Sequence, residues 1–172
     1  AVASVGFGPH EAAQRRPGIV YVSLCAYGND GPWRDRRGFD SLVQTATGFN
    51  LAEAEAAGSQ TPKPMPMQIL DYATGHLMAF AAAAALRRQA IEGGSWHVQV
   101  SLAQAAHWLR AMGRVADGFA VPPVDRAEYL ETVPSGFGEL CAIRHGVQFS
   151  RAPLCETRPS MPPGSHPAAW PD

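Results

Sequence analysis

Asp71 is the residue whose setting best suits chemistry. It follows the proline-punctuated segment Pro62-Lys-Pro-Met-Pro66 and opens a helical run predicted from Tyr72 to Ile91. The field at a helix N-terminus favours an ionised carboxylate. An aspartate so placed is most often a cap, accepting hydrogen bonds from the first free backbone N–H groups. The rarer role is catalytic, and position alone does not separate the two.

Other chemical groups form few patterns. His76, His97 and His107 are lone residues, and the His107-Trp108 pair has no metal-ligand partner one turn on. Cys25, Cys141 and Cys155 are odd in number and widely spaced, without a C-x-x-C pattern. That usage fits a reduced, cytoplasmic setting. The sequence has no G-x-S-x-G elbow, no P-loop and no G-x-G-x-x-G.

The elements that would position Asp71 follow from pattern. Pro9 starts a short helix that ends near Arg15. Ile19–Cys25 is a near-continuous apolar, β-branched run, as expected of a strand covered on both faces. Phe39 to Thr47 is predicted helical, with Phe39, Leu42, Val43 and Ala46 on its inner face, and Gly48 stops it. Residues 51–67 are expected to be irregular. The helix after Asp71 should be buried and end at Gly93-Gly94. Its most hydrophobic stretch, Leu77 to Leu86, is too short to span a bilayer.

Trp96, Val98 and Val100 alternate with polar residues, a half-buried strand. Ser101 should cap a helix from Leu102 to Val115, with Leu102, Ala105, Leu109 and Met112 inward. A hairpin turning at His145-Gly146 is predicted within Leu140–Phe149, followed by a proline-rich tail. The order of strands and helices is α/β and favours a parallel sheet. The 172 residues suffice for one domain with a core. The formal net charge of -1 advertises neither nucleic acid nor an anionic membrane as a partner.

Several stretches carry a family resemblance. The first is Arg16-Pro-Gly-Ile-Val-Tyr-Val-Ser-Leu-Cys-Ala-Tyr-Gly28, followed by Gly31-Pro-Trp and Arg37-Gly-Phe-Asp-Ser-Leu-Val-Gln-Thr-Ala-Thr-Gly48. The second is Gln68-Ile-Leu-Asp-Tyr-Ala-Thr-Gly75, then Ala85-Leu-Arg-Arg88 and Gly93-Gly-Ser-Trp-His-Val-Gln-Val-Ser-Leu102. Each is short, but their order and spacing together are specific. The sequence resembles the class III coenzyme A transferases, the CaiB/BaiF family.

The resemblance implies an incomplete Rossmann-like large domain with a parallel sheet, its small domain missing or reduced. On that basis residues 1–116 are expected to be the catalytic segment and 117–135 a connector. Residues 136–172 should return to the large domain. The opening residues do not resemble the start of a domain, so the chain is expected to be the C-terminal part of a longer protein or the product of a shortened gene.

The resemblance further implies an acyl-CoA:carboxylate CoA-transferase with Asp71 as nucleophile. Acyl-CoA and a free carboxylic acid would be the substrates, with no permanently bound cofactor and no metal. Gly75 would let the thioester approach, or else serve helix packing. Tyr27 and Gly28 end the first strand, where open α/β sheets form ligand crevices. Gln44 would donate to an oxyanion or face solvent. Arg34, Arg36 and Arg37 would meet CoA phosphates or stay solvated. Racemases resembling the family carry a histidine base where Phe39 stands, which disfavours α-proton exchange. A non-catalytic remnant or assembly subunit is the remaining alternative. The family's interlocked dimers imply a homodimer, or pairing with the missing N-terminal part.

Overall fold

The computed structural model describes residues 3–147, 149–151 and 159–169. Cys155 lies outside them. The chain divides into two units, Ala1–Ala120 and Val121–Asp172.

The first unit is mixed α/β. After a 3-10 turn at Ala3–Val5 come α1 (Pro9–Arg15) and β1 (Val20–Cys25). Three helices follow, α2 (Asp40–Ala46), α3 (Phe49–Ala56) and α4 (Ile69–Glu92). Then come β2 (Trp96–Ser101) and α5 (Leu102–Ala111). β1 and β2 pair in parallel, from Val20 opposite Trp96 to Cys25 opposite Ser101. The parallel α/β expectation therefore holds. α4 packs on both strands and on α5, and α2 packs on α3, α4 and α5. The core between them is Ala26, Val43, Phe49, Leu70, Leu102 and Ala106.

Local chemistry explains most boundaries. Pro9 stands at the first turn of α1. Ser101 caps α5, its Oγ accepting the Gln104 N–H at 3.2 Å. Gly93 ends α4. Gly48 adopts φ 83°, which both closes α2 and starts α3.

Several expectations are corrected. Residues 51–67 are not wholly irregular, because α3 occupies their first part. Its Leu, Ala and Glu residues are strong helix formers, and the irregular segment is confined to the prolines beyond Gly58. β1 is only half-buried, with Leu24 47% exposed. On α2, Phe39 at the cap and Leu42 are exposed, and the buried side chains are Asp40, Val43 and Gln44. α5 ends at Ala111, leaving Met112 exposed.

The long helix also differs from expectation. α4 is long and apolar enough to cross a membrane by length and composition. Only Leu70, Thr74 and Ala85 of it are buried, while Tyr72, Phe80, Leu86 and Ile91 are exposed.

The second unit contains a 3-10 turn at Ala127–Tyr129 and an antiparallel hairpin, β3 (Leu130–Ser135) with β4 (Gly138–Ile143). The chain turns at Gly136-Phe137, not at His145-Gly146. Ser135 fixes that turn, its Oγ donating to the Gly138 carbonyl at 2.7 Å and accepting the Phe137 N–H at 3.0 Å. The segment expected to be a bare connector thus supplies the first strand of the hairpin.

Candidate active site

Asp71 is the third residue of α4, within the first turn of the helix rather than at its cap. The N-cap position belongs to Gln68, whose side chain makes no capping hydrogen bond. The free N–H of Asp71 is instead taken by a distant carboxylate. It donates to Asp40 Oδ2 at 2.8 Å. Asp40 stands at the start of α2 and is 1% exposed.

Gln44, one turn further along α2, is buried beside Asp40. Its Nε2 donates to Asp40 Oδ1 and to the Met67 carbonyl, the latter at 3.1 Å. Its Oε1 accepts the Met65 N–H at 3.2 Å. Gln44 therefore does not face solvent, and its two amide protons are already engaged. It ties the proline segment and the start of α4 to α2.

Asp71 itself is exposed. Its carboxyl pKa is raised from the ordinary aspartate value. Partial desolvation by the surrounding protein is the larger cause, and the negative charge of Asp40 is the second. The helix field alone had implied the opposite direction.

A cavity of about 430 Å³ opens one turn beyond Asp71. Gly28, Asn29, Thr74, Gln99, Gln104 and Trp108 are among its lining residues. Thr74 is buried, and its Oγ1 has no hydrogen-bond partner among the described residues. A second cavity of about 360 Å³ lies between α2, residues 64–68 and Tyr72. Asp71 stands on the helical turn that contributes a residue to each.

The other residues singled out from sequence are placed as follows. Gly28 lines the larger cavity. Tyr27 packs edge-on against Trp33, with ring centroids 5.0 Å apart, and borders the core. Gly75 is exposed on α4, and a Cβ built there meets nothing within 4 Å among the described residues. Among the described residues no element packs closely against it. Arg34 pairs with Asp35 at 3.3 Å on the surface, and Arg36 stacks over Trp33 at 4.7 Å. Arg37 is exposed. Among the described residues no group of three or more His, Cys, Asp or Glu side chains is arranged to hold a metal.

Asp40 is the residue that sequence reasoning passed over. The signal was present in Gly38-Phe39-Asp40, four residues before Gln44. Gly38 marks the spot as well. A Cβ there would come within 2.9 Å of Ala26 Cβ and 3.0 Å of Val43 Cγ2, so only glycine lets the start of α2 approach the end of β1.

A parallel α/β unit with an exposed carboxylate braced at a helix start suits covalent group transfer. The description of CoA-transferase family III matches residues 1–136, and the chain belongs to that family. The Mycobacterium tuberculosis protein named "Probable fatty acyl-CoA transferase Rv3272" is 35% identical over 107 residues, covering 62% of this chain and 27% of the relative. "Succinate--glutarate CoA-transferase" of Agrobacterium fabrum is 30% identical over 86 residues, covering 50% of this chain and 21% of the relative. A crystal structure of Rv3272 superposes with a TM-score of 0.58 at 33% identity, over 64% of this chain and 32% of that one. A CaiB/BaiF family protein from Brucella suis shares the fold, with a TM-score of 0.57 at 20% identity over 80% and 38% of the two chains. The chain thus spans about a fifth to two-fifths of the length of these relatives and is a partial domain of their fold.

Proposed function

We propose that this chain carries the nucleophile of an acyl-CoA:carboxylate CoA-transferase, and that the nucleophile is Asp71. The observation that carries the reading is an exposed carboxylate in Asp71-Tyr-Ala-Thr-Gly75 whose backbone is braced by a buried partner. Membership of CoA-transferase family III supplies the reaction class.

The chemistry is covalent catalysis. The Asp71 carboxylate attacks the carbonyl carbon of the donor thioester. The carbon–sulfur bond breaks, leaving an acyl–aspartyl anhydride and CoA thiolate. The thiolate attacks the aspartyl carbonyl, the anhydride C–O bond breaks, and the donor acid departs as its carboxylate. The acceptor carboxylate attacks the resulting aspartyl–CoA thioester, its carbon–sulfur bond breaks, and a second anhydride and CoA thiolate are formed. Thiolate attack on the acceptor's acyl carbon then releases the new acyl-CoA and regenerates Asp71. Every step exchanges one acyl bond for another, so water must be excluded.

The raised basicity of Asp71 makes its ionised form a better nucleophile. The open space over Gly75 gives a thioester room to approach within one helical turn. Racemisation is disfavoured because Phe39, 82% exposed, offers no proton-transfer group. The exposed apolar side chains of α4 favour a covering partner, either a second copy or further polypeptide of the same protein.

The test uses the natural polypeptide that carries residues 1–172, with an acyl-CoA donor and a free acid. Transfer that is abolished by Asp71→Asn supports the reading. Transfer at the native rate in that variant overturns it. Rapid α-deuterium uptake without CoA transfer would favour the racemase reading instead.

A further inference from the structure

Among the described residues Asp40 is the one buried charged side chain, and the reaction steps above make no direct use of it. Burying a carboxylate is costly unless hydrogen bonds compensate. A neutral cap at Gln68 would satisfy the start of α4 without that cost. The chain instead places a carboxylate from α2 under the N–H of Asp71 at 2.8 Å.

The orientation of that carboxylate is over-determined. Gln44 holds Oδ1, and Gln44 is itself locked by the Met65 N–H at 3.2 Å and the Met67 carbonyl at 3.1 Å. Asparagine at position 40 would keep the shape but not the function. One end of its amide would present an N–H either to the Gln44 N–H or to the Asp71 N–H. Gln44 cannot turn over to relieve this without breaking both of its backbone contacts.

We propose that Asp40 is the positioning residue of the Asp71 nucleophile, fixing where the attacking carboxylate stands by clamping the backbone N–H of that same residue to the rigid start of α2. The role rests on the reading of Asp71 as nucleophile. It differs from ordinary capping because the clamped N–H belongs to the reacting residue, two bonds from its Cβ. Misplacing a reacting group by about 1 Å costs on the order of 100-fold in rate. Ground-state binding of the donor, made elsewhere, should be indifferent to the clamp.

Two measurements test it. In the isotopically labelled natural polypeptide carrying these residues, a through-hydrogen-bond scalar coupling should link the Asp71 backbone nitrogen to the Asp40 carboxyl carbon. This needs no variant to fold, and its absence overturns the clamp. In the natural polypeptide carrying these residues, Asp40→Asn should lower kcat about 10- to 100-fold with KM for the acyl-CoA unchanged. Retained strand amide shifts at Val98 and Val100 would show the fold intact. An unchanged kcat overturns positioning while leaving Asp71 as nucleophile. A parallel rise in KM assigns Asp40 to binding and also overturns it. Full activity in Asp71→Asn removes the nucleophile, and the positioning role with it.

Discussion

Replacing Gln44 with alanine should destabilise the first unit well beyond an ordinary surface change. The side chain is buried and makes three hydrogen bonds, to Asp40 Oδ1, the Met67 carbonyl and the Met65 N–H. The contact to the Asp40 carboxylate is the largest, about 1.5–3 kcal/mol, because a hydrogen bond to a buried charge is lost. The two backbone groups are less buried and contribute about 0.5–1 kcal/mol each. The expected loss is therefore about 2.5–5 kcal/mol, against a typical domain stability of roughly 5–15 kcal/mol. Urea unfolding followed by far-UV circular dichroism should show the midpoint falling by about 1–2.5 M at an unchanged slope near 2 kcal/mol/M. A control, Gln44→Glu, should be as damaging near neutral pH, since it sets one carboxylate against another. A loss below about 1 kcal/mol for the alanine variant would mean that Asp40 is satisfied some other way, and the bracing argument would fail.

Three further outcomes follow from the same geometry. Gly38→Ala should cost about 1–3 kcal/mol of stability, measured by thermal melting, because its Cβ meets Ala26 at 2.9 Å and Val43 at 3.0 Å. Gly75→Ala should instead stabilise α4 by up to about 1 kcal/mol, having open space and better helix propensity. The same variant should slow CoA transfer, and a faster melt or an unchanged transfer rate would contradict one half of that pairing. The pH–rate profile should rise on its acid limb as Asp71 ionises, with an apparent pKa above the ordinary aspartate value of 3.8. Asp40→Asn removes the like charge and should move that limb to lower pH.

What the sequence made legible was the backbone order. The β-branched run before Cys25, the alternation from Trp96 to Val100, the double glycine after Glu92 and the Ser101 cap are local signals, and each produced its element. The details around Asp71 were not local. The helix begins at Ile69, ahead of the expected start, and its first turn is capped by Asp40 from 31 residues upstream. No spacing rule reports such a partner. Hydrophobic periodicity places only Val43 of α2 correctly inward, because the other buried positions are Asp40 and Gln44, polar groups that it counts as outward. α3 is obscured in the sequence by the small residues and prolines of the segment that follows, although residues 51–56 are Leu, Ala and Glu, good helix formers. For Gly75 the sequence leaves thioester access and helix packing both open, and among the described residues the space around it is empty.

The central claim, that Asp71 is the acyl-accepting nucleophile, is tested most directly by trapping. The natural polypeptide carrying residues 1–172 is mixed with an acyl-CoA, quenched with hydroxylamine, digested, and mapped by peptide mass spectrometry. The account predicts a hydroxamate on Asp71 that appears only when acyl-CoA is supplied and is absent from Asp71→Asn. A hydroxamate on another residue, or transfer that proceeds with Asp71 never modified, would contradict it.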